Sequence, residues 1–296
     1  MPDMPIIDAH HHIWRQADLP WLMGPMQPRI FGPYEPLRRD YPIEEFLADI
    51  ADQGVTQSIY VQTNWAPGEE VNETRWVQGV ADAHGWPAAI IAYADLADPN
   101  LTRILDAHGE FAALRGIRQQ PHWHEKELYR FATVPDIMNG TVWRHGFAEV
   151  AARGLVFELQ LFTSQFADGA RLAKDFPNAT IVLEHAGMRE DDSEAGRTAW
   201  SEGLKRLAEY PNVSTKLSGL GTFVQRCDAK GIADVMHQTV AIFGAGRCMF
   251  GSNFPIEKLW TRYGDLVNAH RAAAAHYGEP ERRDIFHDSV ARIYRL

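Results

Sequence analysis

A chain of 296 residues, 45% hydrophobic and 23% charged, has the make-up of an ordinary globular protein with a large core, and since about 250 residues suffice for an α/β barrel we read residues 1–296 as a single domain. The formal net charge of −10 argues against nucleic acid or an anionic membrane as partner, both of which call for a basic surface, while leaving a small-molecule substrate open. Cys227 and Cys248 are too few for a disulfide framework and lack zinc-site spacing, no apolar run reaches the roughly 20 residues of a membrane span, and the first residues hold no basic-then-apolar leader, so the expected location is the cytoplasm.

In chain order, short apolar runs predict eight strands: Pro5 to Asp8, Gln57 to Gln62, Ala88 to Ala92, Leu114 to Arg118, Leu155 to Leu161, Thr180 to Glu184, Val213 to Leu217 and Cys248 to Gly251. Amphipathic segments alternate with them. Pro42 to Gln53 and Glu69 to His84 read as helices closed by Gly54 and Gly85, where a left-handed residue is expected. Further helices are read at Leu101 to His108, Ser164 to Asp175, Ser193 to Glu209, Ile232 to Phe243 and Tyr263 to Tyr277. The alternation fits a (β/α)8 TIM barrel; a doubly wound open sheet is the alternative, weakened by the lack of any glycine-rich phosphate fingerprint after a strand. Two stretches break the rhythm. Residues 14–40, with Trp14, Trp21 and several prolines, read as an ordered rim or lid, and Gln119 to Arg130 forms a loop rich in aromatics and histidine.

The first strand ends in Asp8-Ala9-His10-His11-His12. Side chains at i and i+2 on a strand point the same way, so His10 and His12 can meet at the carboxyl end, where barrels keep their sites. His185 ends the sixth strand, after Ile181-Val182-Leu183-Glu184, and a barrel brings it near that pair. The eighth strand runs into Gly251-Ser252-Asn253: the small pair permits close backbone approach, and Asn253 reads either as a site residue or as a turn former. Arg118, Arg189 and Lys216 are the cations expected near the mouth; an arginine fork suits a polar or carboxylate substituent. Trp14, Trp65 and Trp123 are candidates to stack on a ring, and His122 and His124 to line the substrate. Glu158 reads as a structural carboxylate within the barrel.

Together with Val61-Gln62, Leu114-Arg115-Gly116-Ile117-Arg118, Gly154 to Gln160, Glu184-His185-Ala186-Gly187-Met188, Phe250 to Pro255 and Ile285-Phe286-His287-Asp288, these motifs resemble the amidohydrolase superfamily. Within it they resemble the amidohydrolase-related group of pyrone-dicarboxylate and sugar lactonases. The resemblance covers nearly the whole chain. It implies a (β/α)8 barrel of metal-dependent-hydrolase type that opens a cyclic ester by attack of water, with His10, His12, His185 and Asn253 at the reacting group. Arg118, Trp14, Trp65, His122, His124 and Arg189 would then contact the substrate. It leaves two modes open: one divalent ion, zinc or manganese, on His10, His12 and His185, or no metal, with the same groups acting by hydrogen bonds. The family usually places an aspartate where this chain has Asn253, and an amide has neither the charge of a good ligand nor the basicity of a general base. Metal-dependent decarboxylases share the scaffold, and a binding protein without turnover is the non-enzymatic alternative.

Overall fold

The computed structural model describes residues 4–296, so the first three positions of the predicted 1–296 span lie outside the described residues. The strands are β1 (Ile6–His11), β2 (Val55–Val61), β3 (Ala89–Tyr93), β4 (Leu114–Gln119), β5 (Val156–Leu159), β6 (Thr180–Leu183), β7 (Val213–Leu217) and β8 (Cys248–Phe250). They lie parallel and pair in chain order from β1 to β8. Closure comes just beyond β8: Asn253 N donates to His10 O and His12 N to Phe254 O, each at 2.7 Å. The predicted barrel is therefore the observed one, and the open sheet is set aside.

The helices follow as α1 (Pro20–Met23), α2 (Ile43–Asp49), α3 (Glu70–His84), α4 (Leu101–Gly109), α5 (Thr141–Ala152), α6 (Phe166–Asp175), α7 (Glu194–Ala208), α8 (Ala229–Phe243), α9 (Tyr263–Ala274), α10 (Glu279–Arg283) and α11 (Ser289–Tyr294). Gly85 closes α3 in the left-handed region, as its position suggested. α2 stops at Asp49, short of the predicted end; residues 51–54 form a turn that the left-handed Gly54 leads into β2. α5 was not anticipated. It packs Trp143 and Phe147 on the outside of β5, where Phe157 meets Phe147 edge to face at 5.1 Å.

Two apolar layers result. The outer one fills the space between strands and helices, while an inner cluster of Ile7, Ala9, Ile59, Val61, Ile91, Val156, Val182 and Met249 fills the barrel and is floored by Val290, Ile293 and Tyr294 of α11. β1 serves both. Asp8 pairs with Ser58 and His11 with Tyr60, so three residues of β1 span two of β2, a bulge that resets which face each side chain takes. Ile7 and Ala9 pack inside before the bulge, and His10 and His12 meet inside after it. Asp8 faces outward, accepting from Tyr263 Oη at 2.9 Å and from Ser252 N at 2.8 Å. His11 also faces outward, stacked on Phe46 at 4.0 Å and bonded to Ser58 Oγ at 3.0 Å.

Candidate active site

The strand-end histidines converge as the sequence implied. The His10 ring lies 5.0 Å from that of His12 and 4.8 Å from that of His185. His12 Nδ1 donates to Val61 O at 2.7 Å, which leaves Nε2 as a bare lone pair. His185 Nδ1 bonds Ser218 Oγ at 2.9 Å. His185 itself has φ 55°, and Ala186 and Met188 follow at 49° and 47°. Left-handed backbone at a non-glycine residue costs about 1–3 kcal/mol, and such strain concentrates where a side chain must be aimed. Close approach is built in by glycine: a Cβ on Gly219 would lie 2.7 Å from His185 Nδ1, and one on Gly251 2.8 Å from His10 Cβ.

Burial holds all three imidazoles neutral. It pushes His12 and His185 down to about 3, with the charge of Arg118 adding to the effect, and holds His10 well below its ordinary value with help from Lys216. Around them lies a buried charge network. Lys216 Nζ pairs with Glu158 Oε1 at 2.5 Å, and Tyr294 Oη donates to the same oxygen at 2.7 Å. Arg118 Nη1 reaches both Glu184 oxygens at 3.3 Å, and its Nη2 donates to Gln62 O at 2.6 Å. His10 Nδ1 stands 3.4 Å from Lys216 Nζ and 3.4 Å from Glu184 Oε1, while its Nε2 has no partner. Two carboxylates thus balance two cations.

Above the network opens a cavity of about 540 Å³, a size that holds a small ring with substituents. His12, Asn253, Arg118 and His122 line its deep end with His185 and the buried Trp14, while the half-buried Arg29, Phe31, Tyr129 and Phe223 line its mouth. Trp14, Trp21 and residues 27–31 of the 14–40 segment thus border the cavity. Several expected positions prove otherwise. Trp65 lies outside the cavity, packed on Trp76 at 5.8 Å with Arg15 over both rings, because its loop turns toward α3. Arg189 is outside too, spent on Asp234 at 2.6 Å and Asp192 at 3.0 Å. His124 backs the wall through Tyr129 and Phe162, and Trp123 lies under Arg130. His10 and Lys216 are fully buried and neither lines the cavity. Trp14 is part of the wall, but its Nε1 is held by Arg39 O at 2.8 Å. The Arg118 fork is occupied by Glu184 and Gln62.

Three contributors escaped the sequence reading. Arg29 lines the mouth, makes no ion pair among the described residues and has a buried Nε without a partner. Glu184 reads in the sequence only as the residue before His185, yet it pairs with Arg118 and stands beside His10. Glu257, one turn beyond Asn253, is fully buried. The ligating atoms of His10, Glu184 and His185 lie within 4.8 Å of one another. Two imidazoles and a carboxylate are a donor set that zinc accepts, and the unpartnered His10 Nε2 suits it. The residues present thus fit a divalent ion, with Glu184 in the place expected of His12.

Among known proteins, the family described as amidohydrolase matches residues 7–296. An uncharacterised protein of Sinorhizobium fredii, y4mH, is 38% identical over 298 residues, the whole of both chains. An L-fucono-1,5-lactonase of Burkholderia multivorans is 28% identical over 306 residues, covering 98% of this chain and 96% of its own. A solved amidohydrolase of Burkholderia multivorans, crystallised with bound zinc, superposes with a TM-score of 0.82 at 26% identity over 99% of each chain.

Proposed function

The chain belongs to the amidohydrolase family and is a hydrolase, and on that premise we propose that it opens a lactone ring, sugar-derived or carboxylated, by attack of water on the ring carbonyl. The observation that carries the reading is the convergence of neutral His12 and His185 with Asn253 at the deep end of one cavity. The L-fucono-1,5-lactonase match lends its reaction class.

His185 Nε2 takes the proton of the attacking water, with Ser218 Oγ accepting from Nδ1. The new C–O bond makes a tetrahedral adduct whose oxyanion meets the amide N–H of Asn253. The adduct collapses, the ring C–O bond breaks, and the leaving oxygen takes the proton back from His185, giving a hydroxy acid. In the metal-bound mode a divalent ion on His10, Glu184 and His185 would supply a Lewis acid and lower the pKa of bound water to about 7, and His185 would then serve as a ligand and not as the base. Arg118 and Lys216 keep Glu184 and Glu158 paired so that the wall stays charge-balanced. The absence of a carboxylate at position 253 gives strand eight a hydrogen-bonding role instead of a basic one.

A pH-indicator assay over a panel of aldonolactones and acid-bearing lactones tests this, with protein as isolated, chelator-treated, and resupplied with zinc or manganese. Turnover of one lactone class is expected. Loss with chelator and recovery with metal would assign His10, Glu184 and His185 as ligands; survival would assign the metal-free mode. No turnover in any condition would overturn the reading.

A further inference from the structure

Asn253 differs from an aspartate in having two unlike ends, and something must decide which end faces the substrate. Its backbone is in the left-handed region at φ 56°, its N–H is fixed to His10 O, and its carbonyl accepts from Glu257 N at 3.2 Å. That last bond closes one helical turn, so the side chains of residues 253 and 257 share a face. The Asn253 amide consequently lies between the His12 imidazole and the Glu257 carboxyl.

Glu257 is unlike any other carboxyl in the site. It is fully buried, and among the described residues no cation faces it. Oε2 accepts from Trp260 Nε1 at 2.7 Å and receives the Gly221 N–H; a Cβ on Gly221 would sit 2.6 Å from this oxygen, so only glycine allows the approach. Oε1 has no other partner. From the preceding loop the neighbouring titratable group is the Cys227 thiol, which is uncharged at neutral pH. On the other side of the amide, Val61 O fixes the His12 proton on Nδ1, so His12 Nε2 can only accept.

We propose that Glu257 is a positioning residue: its protonated carboxyl donates from Oε1 to Asn253 Oδ1, turning Nδ2 toward His12 Nε2 and the cavity as a two-proton donor. One N–H meets His12 and the second is left for the carbonyl oxygen of the substrate. The orphaned Oε1 acquires a partner, both imidazole nitrogens of His12 are satisfied, and the residue that replaces the family's aspartate becomes an oxyanion donor. Burial without a counter-charge pushes the Glu257 carboxyl up to about 8, which keeps the donating proton in place at neutral pH. The role rests on the lactone-opening reading for its catalytic meaning, though the hydrogen-bond arrangement stands apart from it.

The test compares wild type with Glu257→Gln, which donates an N–H at every pH, and Glu257→Leu, which donates none. In the wild type, kcat falls as pH rises through about 8 and the Glu257 proton is lost. Glu257→Gln is expected to keep near-wild-type kcat at neutral pH and to flatten that fall. Glu257→Leu is expected to lower kcat about 100-fold with little change in KM, the low end of what loss of one oxyanion donor does. The side-chain amide resonance of Asn253, assigned by its loss in Asn253→Asp, is expected to titrate near pH 8 in wild type and not in Glu257→Gln. An alkaline fall unchanged in Glu257→Gln, or an amide signal indifferent to the substitution, overturns the proposal. Should wild type turn over no lactone, the reaction reading fails by itself and the amide titration alone decides the Glu257 assignment; it does so as well if Glu257→Leu does not fold.

Discussion

At the scale of single residues, the backbone around His185 is where stability and aim conflict. Ala186 sits at φ 49° while its carbonyl accepts from Trp200 Nε1 at 2.8 Å, so the turn is locked by packing in a conformation its Cβ resists. Ala186→Gly should raise stability by about 1 kcal/mol in urea unfolding, because left-handed backbone disfavours any residue with a Cβ by roughly that amount. The histidines themselves were legible because strand ends and i, i+2 spacing are local properties. Trp65 and Arg189 were misplaced for the converse reason: both lie in loops, and loop sequence does not say which way a side chain turns. Glu257 escaped notice because only the turn joining it to Asn253 brings it to the site.

At the scale of elements, α5 shows how packing can hide a helix from its sequence. Gly146 interrupts the helical pattern of residues 141–152, yet a Cβ there would overlap the Leu96 carbonyl oxygen and Leu101. The glycine that weakens the local signal is the one that the contact with the β3–α4 connection demands. Gly146→Ala should therefore destabilise the fold by about 1–3 kcal/mol, the usual cost of overpacking, despite the better helix propensity of alanine; a shift of the urea midpoint to lower concentration checks it. The bulge in β1 was equally invisible, since the alternation of residues 6–12 reads as unbroken until β2 is laid beside it. The 14–40 segment reads from its sequence as a rim or lid, but nothing in that reading singles out Arg29 as a cavity residue. Arg29→Ala should raise KM for acid-bearing lactones about tenfold, near the 1.5–3 kcal/mol of a charged hydrogen bond, while neutral lactones change little; steady-state kinetics on both substrate types tests it.

At the scale of the whole molecule, the barrel is filled in two registers, apolar toward the floor and charged beneath the cavity. Removing one member of the Lys216–Glu158 pair leaves a buried charge alone. Lys216→Met should cost about 3–5 kcal/mol, and adding Glu158→Leu should recover much of it, since a pair replaced as a unit by apolar groups is often neutral. A double-mutant cycle in urea measures the coupling. The eight strands and their barrel order could be foreseen from periodicity; the floor helix α11 and the pairing of Lys216 with Glu158, on strands β7 and β5, could not, because only a closed barrel sets those groups side by side.

α11 plugs the floor with Val290 and Ile293, and Tyr294 supplies a donor that Glu158 accepts. Residues almost 290 positions apart thus complete one interior, and Asn253 and Phe254 join His10 and His12 to close the ring. During synthesis the emerging chain holds most of its staves with the charged interior open to water until residues 290–294 have left the ribosome. The nascent protein is until then an unplugged vessel, its wall of strands made before the stopper that seals it.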